Sequence, residues 1–583
     1  MKLRLLLISS LCSLALKAQY RISDGSELLD LQQLPMEKMY VHLSQSLLFT
    51  GEYLYYKAYV LNAQTNKLSR ISTLAYVRLV DAAGQTVFEH KLRLEGGMGQ
   101  GDYFLNTDIP SGVYKLLGYT QWMENAGLEQ LFQADVAIIN PYRPLPDADG
   151  TGTETYSVSG EELTSGASLL QLELDTTQYA RRSRVKLQVR NYKGALGYGQ
   201  YSLSVTRRPE LSWNAHHSAE AFGQAYFNAA RTLPQGIGDS VYLPEQRGEL
   251  LFGRVSDAAT GQPAPNQEVV LSVPGKDYIL KSATTDAHGY FFTYLRKAYA
   301  YPGMICQVAG PGTYTISRGA QRPLPWEALE VPVWKPAPDQ GEAIRRRSIH
   351  NQLENAFFGV KPDSVLQPEP PDPFDGGIPQ VKHLDEYTRF ETLQETLVEL
   401  FGNVGYRKGP DGSDYIRVAQ DFEAFNEPYN NDPAIVLIDG VFIPDPGRIK
   451  GFKARRIQTI RVLQDPLVLG PKTYQGILSI ETFTGDYARE YQAPNATEFR
   501  LDFPQAQKRY YKPDYREGSD KIYRRVPDYR YLLHWEPQID LDSEAADLEF
   551  YTSDLEGTYE IILEGFTTYG KPVSVRRSFQ VDR

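Results

Sequence analysis

Cysteine is almost missing from this chain of 583 residues: only Cys12 and Cys306 occur. Cys12 falls inside an N-terminal segment that reads as a cleaved export signal, so the mature chain keeps Cys306 alone and can form no intramolecular disulfide. A disulfide-stapled scaffold is excluded, and stability must come from packing. Cys306, in "GMICQVAG", reads as a small buried apolar residue on a strand. Histidine is scarce too, at eight residues. The adjacent His216 and His217 point to different faces of either a helix or a strand, so they cannot easily share one ion and read as surface or loop side chains. Positive charge is in deficit, with 61 Lys and Arg against 72 Asp and Glu, a net charge of -11 and a pI near 5.4. That balance opposes a sequence-independent hold on nucleic acid, which depends on neutralising phosphates. After the N-terminus no apolar run approaches the roughly 18 residues that span a bilayer as a helix. The signatures Gly-x-Ser-x-Gly, His-Glu-x-x-His, the phosphate loop and the dinucleotide fingerprint are absent. A pair of carboxylates suited to glycoside hydrolysis cannot be picked from a sequence, because its test is a separation in space. No catalytic, cofactor-binding or metal-ligating residue is therefore assigned, and the chain is expected not to be an enzyme.

The first residues, "MKLRLLLISSLCSLALKAQ", place Lys2 and Arg4 ahead of an apolar stretch from Leu5 to Leu16, with Ala18 at the cleavage point. Residues 1–18 read as an export signal. Leu11 stands before Cys12 where a lipoprotein acceptor wants a small residue, which sets acylation aside. An exported chain follows, without a transmembrane segment once mature, and peripheral association with a membrane is compatible with it; the resemblances set out below imply the Gram-negative periplasm or outer membrane as its place.

What the sequence does hold is 40 Tyr beside 47 Gly and 37 Pro, a skew toward strands joined by tight turns. The length suggests roughly four domains, and the fold class is mainly β: serial β-sandwiches plus one small α/β domain. From residue 38 to 140 short alternating runs such as "YLYYKAYVL", "LAYVRLVD" and "GVYKLLGYTQW" are punctuated by Gly, Asp, Asn and Pro, the pattern of an antiparallel sandwich. The stretches "EKMYVHLSQSLLFTGEYLYYKAYV" and "GDYFLNTDIPSGVYKLLGYTQWMEN" resemble the macroglobulin-type domain found near the N-terminus of secreted Gram-negative envelope proteins, which assigns 19–142 to such a sandwich. Macroglobulin inhibitors trap proteases through a thioester between a Cys and a Gln three residues on. Cys306 is followed directly by Gln307, so that chemistry has no counterpart.

Residues 143–167, rich in Gly, Ser, Thr and acid, read as a flexible linker; Asp147, Asp149 and Gly150 suggest a calcium loop, but no carboxylate stands at its twelfth position. Residues 168–245 supply three or four further strands and an irregular segment, "NAHHSAEAFGQAYFNAAR", and read as a second macroglobulin-like module. Its basic cluster Arg181, Arg182 and Arg184 reads as a solvated strand edge. Residues 246–318 include "RGELLFGRVSDAATGQPAPNQEVVLSV" and "TTDAHGYF", which resemble a carboxypeptidase regulatory-like domain, a prealbumin-type sandwich with no catalytic apparatus of its own. Asp286 to Gly289 is expected to close a hairpin.

Residues 319–380 form a Pro-rich connector with a helical patch, "IRRRSIHNQLENAFFG", whose Arg345, Arg346 and Arg347 read as a solvated face rather than a phosphate patch. The spacing of Leu393, Leu397 and Leu400 predicts an amphipathic helix over 388–401. "IVLIDGVFI", "ARRIQTIRVLQDP" and "YQGILSIETF" then follow in order and resemble the strand-turn-strand, the helix-to-strand step and the closing strand of a TonB-dependent receptor plug, assigning 381–490 to that α/β domain. The turn at Asp439 and Gly440 needs a residue that tolerates positive φ. A TonB-dependent barrel needs about 22 strands, whereas 97 residues follow Asp486 (583 less 486). They read as a C-terminal β-sandwich, 491–583, and no TonB box is evident after the signal.

The expectation is a non-catalytic, exported, multidomain interaction protein of the cell envelope, without cofactor. Its partner would be an outer-membrane barrel protein or the transport, secretion or biogenesis assembly around one, reached through strand edges and Tyr-rich surfaces. The rival is a glycan- or peptide-binding envelope protein that stacks ligands on Trp122, Trp213, Trp326, Trp334 or Trp535, most of which should be core residues. An uncharacterised hydrolase or a protease inhibitor stands behind both.

Overall fold

Strands that are apolar on one face cannot stay single, and in this protein the partners that cover them often come from far along the chain. The computed structural model describes residues 20–21, 31–143, 169–211, 213, 217–226, 240–319, 324–420, 432–493, 495–516 and 525–583. The export signal, the linker apart from Arg143, the calcium-like Asp147, Asp149 and Gly150, and His216 lie outside the described residues. The chain is mainly β and divides into two compact units. The larger comprises Tyr20–Gly248, Pro323–Gln367 and Pro504–Arg583; the other comprises Glu249–Arg322 and Pro368–Phe503.

In the larger unit the runs of 38–140 make a sandwich of two sheets. One is Glu37–Leu43, Tyr53–Asn62 and Met98–Phe104 in that spatial order; the other orders Leu47–Phe49, Phe132–Ile139, Gly112–Tyr119, Leu74–Val80 and Thr86–Arg93. Val41, Tyr59, Val77, Leu79, Leu117 and Val136 fill the space between.

The second sandwich corrects the domain reading. Arg184–Asn191 lies between Leu170–Leu174 and Ala545–Tyr551, and Gly199–Arg207 lies between Gly557–Thr567 and Leu532–Leu541. Segments 168–245 and 491–583 are therefore not two modules: their strands build one core, in which Val185, Leu187, Val189 and Leu203 meet Phe550, Tyr559, Ile561 and Leu563. The physical reason is supply. The strands before residue 208 carry one apolar face each and have too few neighbours to bury it, and the missing strands arrive more than 300 residues later. Arg182 also departs from a solvated edge, since its guanidinium grips Asp554 through two bonds of 2.6 Å and lies over Tyr515. The helix Ala219–Tyr226 is held by the buried Glu564 carboxylate, which accepts from the Ala219 N–H at 2.7 Å, and Phe222 packs against Tyr40, Phe132 and Phe566.

The other unit contains a two-sheet sandwich and a mixed sheet. The sandwich sheets are Tyr290–Leu295, Glu249–Asp257 and Tyr314–Arg318 facing Ile279–Thr284, Glu268–Val273, Gly303–Val308 and Ala496–Arg500. The Asp286–Gly289 turn is not a hairpin. Its two flanking strands belong to different sheets, so the turn carries the chain across the sandwich, held by the Asp286 carboxylate on the N–H groups of His288 and Tyr290, both at 2.8 Å. Cys306 is buried and free in this core, as the sequence reading has it. Ala496–Arg500 is the second departure from the domain reading: it belongs to this sandwich rather than to a C-terminal one.

The mixed sheet orders Gln380–His383, Ile457–Leu469, Lys472–Thr482, Ile435–Ile438 and Val441–Phe442, with Ile435–Ile438 parallel to its neighbour. The predicted amphipathic helix is Leu393–Leu400, shorter than 388–401 because Thr392 and Glu395 cap it reciprocally. Its Leu393 and Leu397 enter the core with Ile438, Ile460 and Ile480. The "ARR" step is one tight turn, Ala454–Arg456, before the strand. Every described strand after Asp486 belongs to one of the two sandwiches or to the short Lys508–Arg509 ladder with Ser364–Val365. No helix among the described residues is long and apolar enough to cross a membrane.

Candidate functional site

The Asp-Gly turn of the mixed sheet is built to be rigid. Asp439 and Gly440 both have positive φ, 48° and 80°, the geometry of a two-residue hairpin turn whose twist matches the strands. The Asp439 side chain is buried, and its carboxylate accepts from the Thr482 N–H at 2.7 Å, the Thr482 hydroxyl at 2.6 Å and the Tyr487 N–H at 3.1 Å. A Cβ on residue 440 would sit 2.5 Å from Tyr278 Cβ and 2.9 Å from the Gly275 carbonyl, so only glycine fits. The turn is thus covered by the sandwich of its own unit. Gln307 reinforces that cover, donating to the Phe442 carbonyl at 2.7 Å and accepting from the Tyr491 hydroxyl at 2.7 Å. Sequence reading found the turn but not the carboxylate's three donors, which lie more than 40 residues on.

The larger unit carries a cleft of about 170 Å³ lined by four separated stretches, around residues 45–55, 351–363, 510–511 and 529–535. Its floor is fixed by a salt bridge. The helix Gly341–Ala356 delivers Arg347 to Glu52, with Nε and Nη2 each 2.8 Å from a carboxylate oxygen, and Asn351 donates to the same carboxylate at 2.9 Å. The Arg347 guanidinium lies 4.6 Å from the ring centres of Phe49 and Tyr531. This corrects the reading of Arg345 to Arg347 as a solvated face: Arg345 pairs with Glu342 and Arg346 with Glu210 at the surface, but Arg347 is buried. The periodicity hid this, since an arginine held by a carboxylate 295 residues away looks in sequence like any polar helix position.

The walls are aromatic. Tyr53 stacks on Phe358 at 5.8 Å and packs against Phe104 at 5.0 Å, and both phenylalanines are substantially exposed, at 46% and 40%. Behind them Tyr55 meets Tyr510 edge-on at 4.8 Å and Trp535 at 6.5 Å. The short ladder of Ser364–Val365 with Lys508–Arg509 brings Asp363 next to this cluster, where its carboxylate accepts from the Tyr511 N–H at 2.8 Å. Burial raises the Asp363 carboxyl above the ordinary range, against the Tyr511 hydrogen bond. Burial first, then Asp363 and Asp102, raise the Tyr55 hydroxyl well above its ordinary value.

Of the five tryptophans, Trp122, Trp213, Trp326 and Trp535 are buried and Trp334 packs edge-on against Trp213, so they are core residues rather than an exposed stacking platform. Trp535 lines the cleft from within, and its indole N–H has no hydrogen-bond partner among the described residues. His217 accepts from the Asp135 N–H at 3.3 Å; no group of three or more His, Cys, Asp or Glu among the described residues is placed to hold a metal. A Ser–His pair does exist, with His42 Nδ1 2.7 Å from Ser202 Oγ, but both side chains are sealed in the core and Ser202 also accepts from the Tyr59 hydroxyl at 2.9 Å. A nucleophile that no substrate can reach does no acyl transfer, so this network knits the two sandwiches of the unit together.

Sequence reading missed the cleft. Its signal was the clustering of "GEYLYY" and "RYYKPDY", two aromatic runs with nothing in either to say that they converge.

No family model matches this sequence, and no curated protein matches it. Among solved structures the chain is similar to a point mutant of Salmonella alpha-2-macroglobulin, at 9% identity over 97% of this chain and 40% of that one, with a TM-score of 0.24. It is similar also to the native conformation of Escherichia coli alpha-2-macroglobulin, at 10% identity over 94% of this chain and 40% of that one, again with a TM-score of 0.24. The chain spans about two fifths of the length of these structures.

Proposed function

We propose that this chain is a non-catalytic, exported interaction protein of the Gram-negative cell envelope, an accessory part of an outer-membrane transport, secretion or biogenesis assembly whose partner is an integral barrel protein. The reading keeps the resemblances drawn from the sequence: a macroglobulin-type sandwich, a carboxypeptidase regulatory-like sandwich and a plug-like α/β sheet. One observation supports it above the others. The plug-like sheet is welded to a neighbouring sandwich through the Asp439–Gly440 turn, and the described strands that follow it complete sandwiches instead of forming membrane hairpins. A rigid plug-like element supported in this way is suited to contact with another molecule. Affinity purification from detergent-solubilised outer membrane tests the proposal: an integral barrel protein should be recovered, and repeated recovery of the chain alone contradicts it.

The rival reading, a glycan- or peptide-binding envelope protein, is favoured by the aromatic cleft. Stacked rings beside Asp363, the one carboxylate lining the cleft that has no ion-pair partner among the described residues, are suited to recognising one side chain or sugar.

A further inference from the structure

We infer that the aromatic cleft of the larger unit binds a basic side chain, lysine or arginine, of an extended polypeptide. The inference rests on the peptide-binding reading and names the group that such a site would take.

Charge bookkeeping within the cleft decides the sign. Glu52 is committed to Arg347, Glu354 to Lys361 at 2.7 Å, and Arg530 to Asp528 at 2.7 Å. Asp363 is the remaining charged residue lining the cleft, and it has no ion-pair partner among the described residues; its one hydrogen bond comes from the Tyr511 N–H. The nearest cation that lowers its carboxyl, Lys508, is already bonded to Asp102 at 2.8 Å. An anion entering this space would meet Asp363 with nothing to offset it. A cation would gain a charge-assisted bond there.

The walls then select the kind of cation. Tyr53 and Phe358 stack where they line the cleft, Phe104 packs against Tyr53 beside them, and Tyr55 and Tyr510 stand next to Asp363. A hydrated metal ion has no use for such a surface. A long aliphatic stem ending in a cation lies along ring faces and presents its charge to their π systems. The volume, about 170 Å³, is about an order of magnitude more than one water requires and matches one side chain rather than a folded partner. A bound peptide would carry its backbone outside, over the exposed Phe104 and Phe358.

The test is titration of the full mature chain with three probes: acetyl-Gly-Lys-Gly-amide, its norleucine counterpart and maltotriose, followed by calorimetry and by tryptophan fluorescence. The lysine peptide should saturate, the norleucine peptide should bind about tenfold more weakly, and maltotriose should not compete. In Asp363→Asn the lysine advantage should vanish while the norleucine affinity stays. Equal affinities for the two peptides, no saturation by the lysine peptide, or tighter binding of maltotriose would each overturn the inference; they are read on the wild-type chain and do not depend on a variant folding. Tyr53→Leu, whose ring lies at the half-exposed rim, gives a second handle and should weaken the lysine peptide alone. Recovery of a barrel protein by Asp363→Asn at wild-type yield would sink the cleft as its docking point while leaving the scaffold reading intact.

Discussion

Replacing Asp439 by alanine removes a single small side chain, and its effect can be worked out from three hydrogen bonds. The carboxylate is the acceptor for the N–H groups of Thr482 and Tyr487 and for the Thr482 hydroxyl. The hydroxyl can turn toward Thr484 Oγ1, 3.4 Å away, but the two backbone donors have no such recourse. Left unsatisfied, the buried Thr482 N–H costs about 1–3 kcal/mol and the half-buried Tyr487 N–H about 1–2 kcal/mol, and an alanine held at a φ of 48° adds about 1 kcal/mol over a residue that tolerates the left-handed region. Asp439→Ala should therefore destabilise its unit by about 3–6 kcal/mol, whereas Asp439→Asn, which keeps one oxygen and the turn preference, should cost about 1–2 kcal/mol. Amide hydrogen exchange read by mass spectrometry on peptides from Ile435–Ile438 and Lys472–Thr482 checks this directly. The alanine variant should raise exchange there roughly 10²- to 10⁴-fold. Exchange within about fivefold of wild type would refute the view that this carboxylate locks the turn.

In the larger unit, Arg347→Leu leaves the largely buried Glu52, its side chain 11% exposed, without its cation and should cost about 3 kcal/mol, with part of that recovered in the double variant with Glu52→Leu; urea melts followed by tryptophan fluorescence report it, because Trp122, Trp213, Trp326, Trp334 and Trp535 all lie in that unit. His534 is pushed down to about 3 by burial, and His90 to about 4 by burial and then by Lys508. Both bind fewer protons folded than unfolded, so their contribution is present above the ordinary value of 6.5 and is lost as pH falls toward the folded values. From pH 7 to pH 5 each should cost roughly 2 kcal/mol, and His534→Phe should flatten part of that acid limb in equilibrium melts. Glu124 is pushed up to about 8 by burial and then by Glu89. Its contribution is full below 4.5 and declines as pH rises through 8, so Glu124→Gln should make the unit less sensitive to alkali than wild type.

How much could be read in advance follows the reach of each interaction along the chain. The alternation over residues 38–140, the amphipathic helix on Leu393, Leu397 and Leu400 and the Asp439–Gly440 reversal depend on neighbours a few residues apart, and each was visible in the sequence, although the helix starts at Leu393 rather than near residue 388. The second sandwich was not, because Arg184–Asn191 pairs with Ala545–Tyr551, and nothing in either strand names the other. The chain crossing at Asp286 looked like a hairpin because its turn chemistry is a hairpin's; the strands it joins are assigned to sheets by partners elsewhere. Burial of Arg347 and the meeting of Tyr53, Tyr55, Asp363 and Tyr510 are likewise long-range facts. Composition foretold many aromatic contacts but could not say which rings would line a cleft.

Cross-linking in intact cells of the organism that encodes the chain, with a membrane-permeable amine-reactive reagent followed by mass spectrometry, tests the central proposal most directly. It should yield links from lysines of this chain, such as the half-exposed Lys472 in the mixed sheet and Lys453 just before its longest strand, to one integral outer-membrane barrel protein. Links confined to this chain, under conditions that capture known envelope assemblies in the same cells, would contradict it.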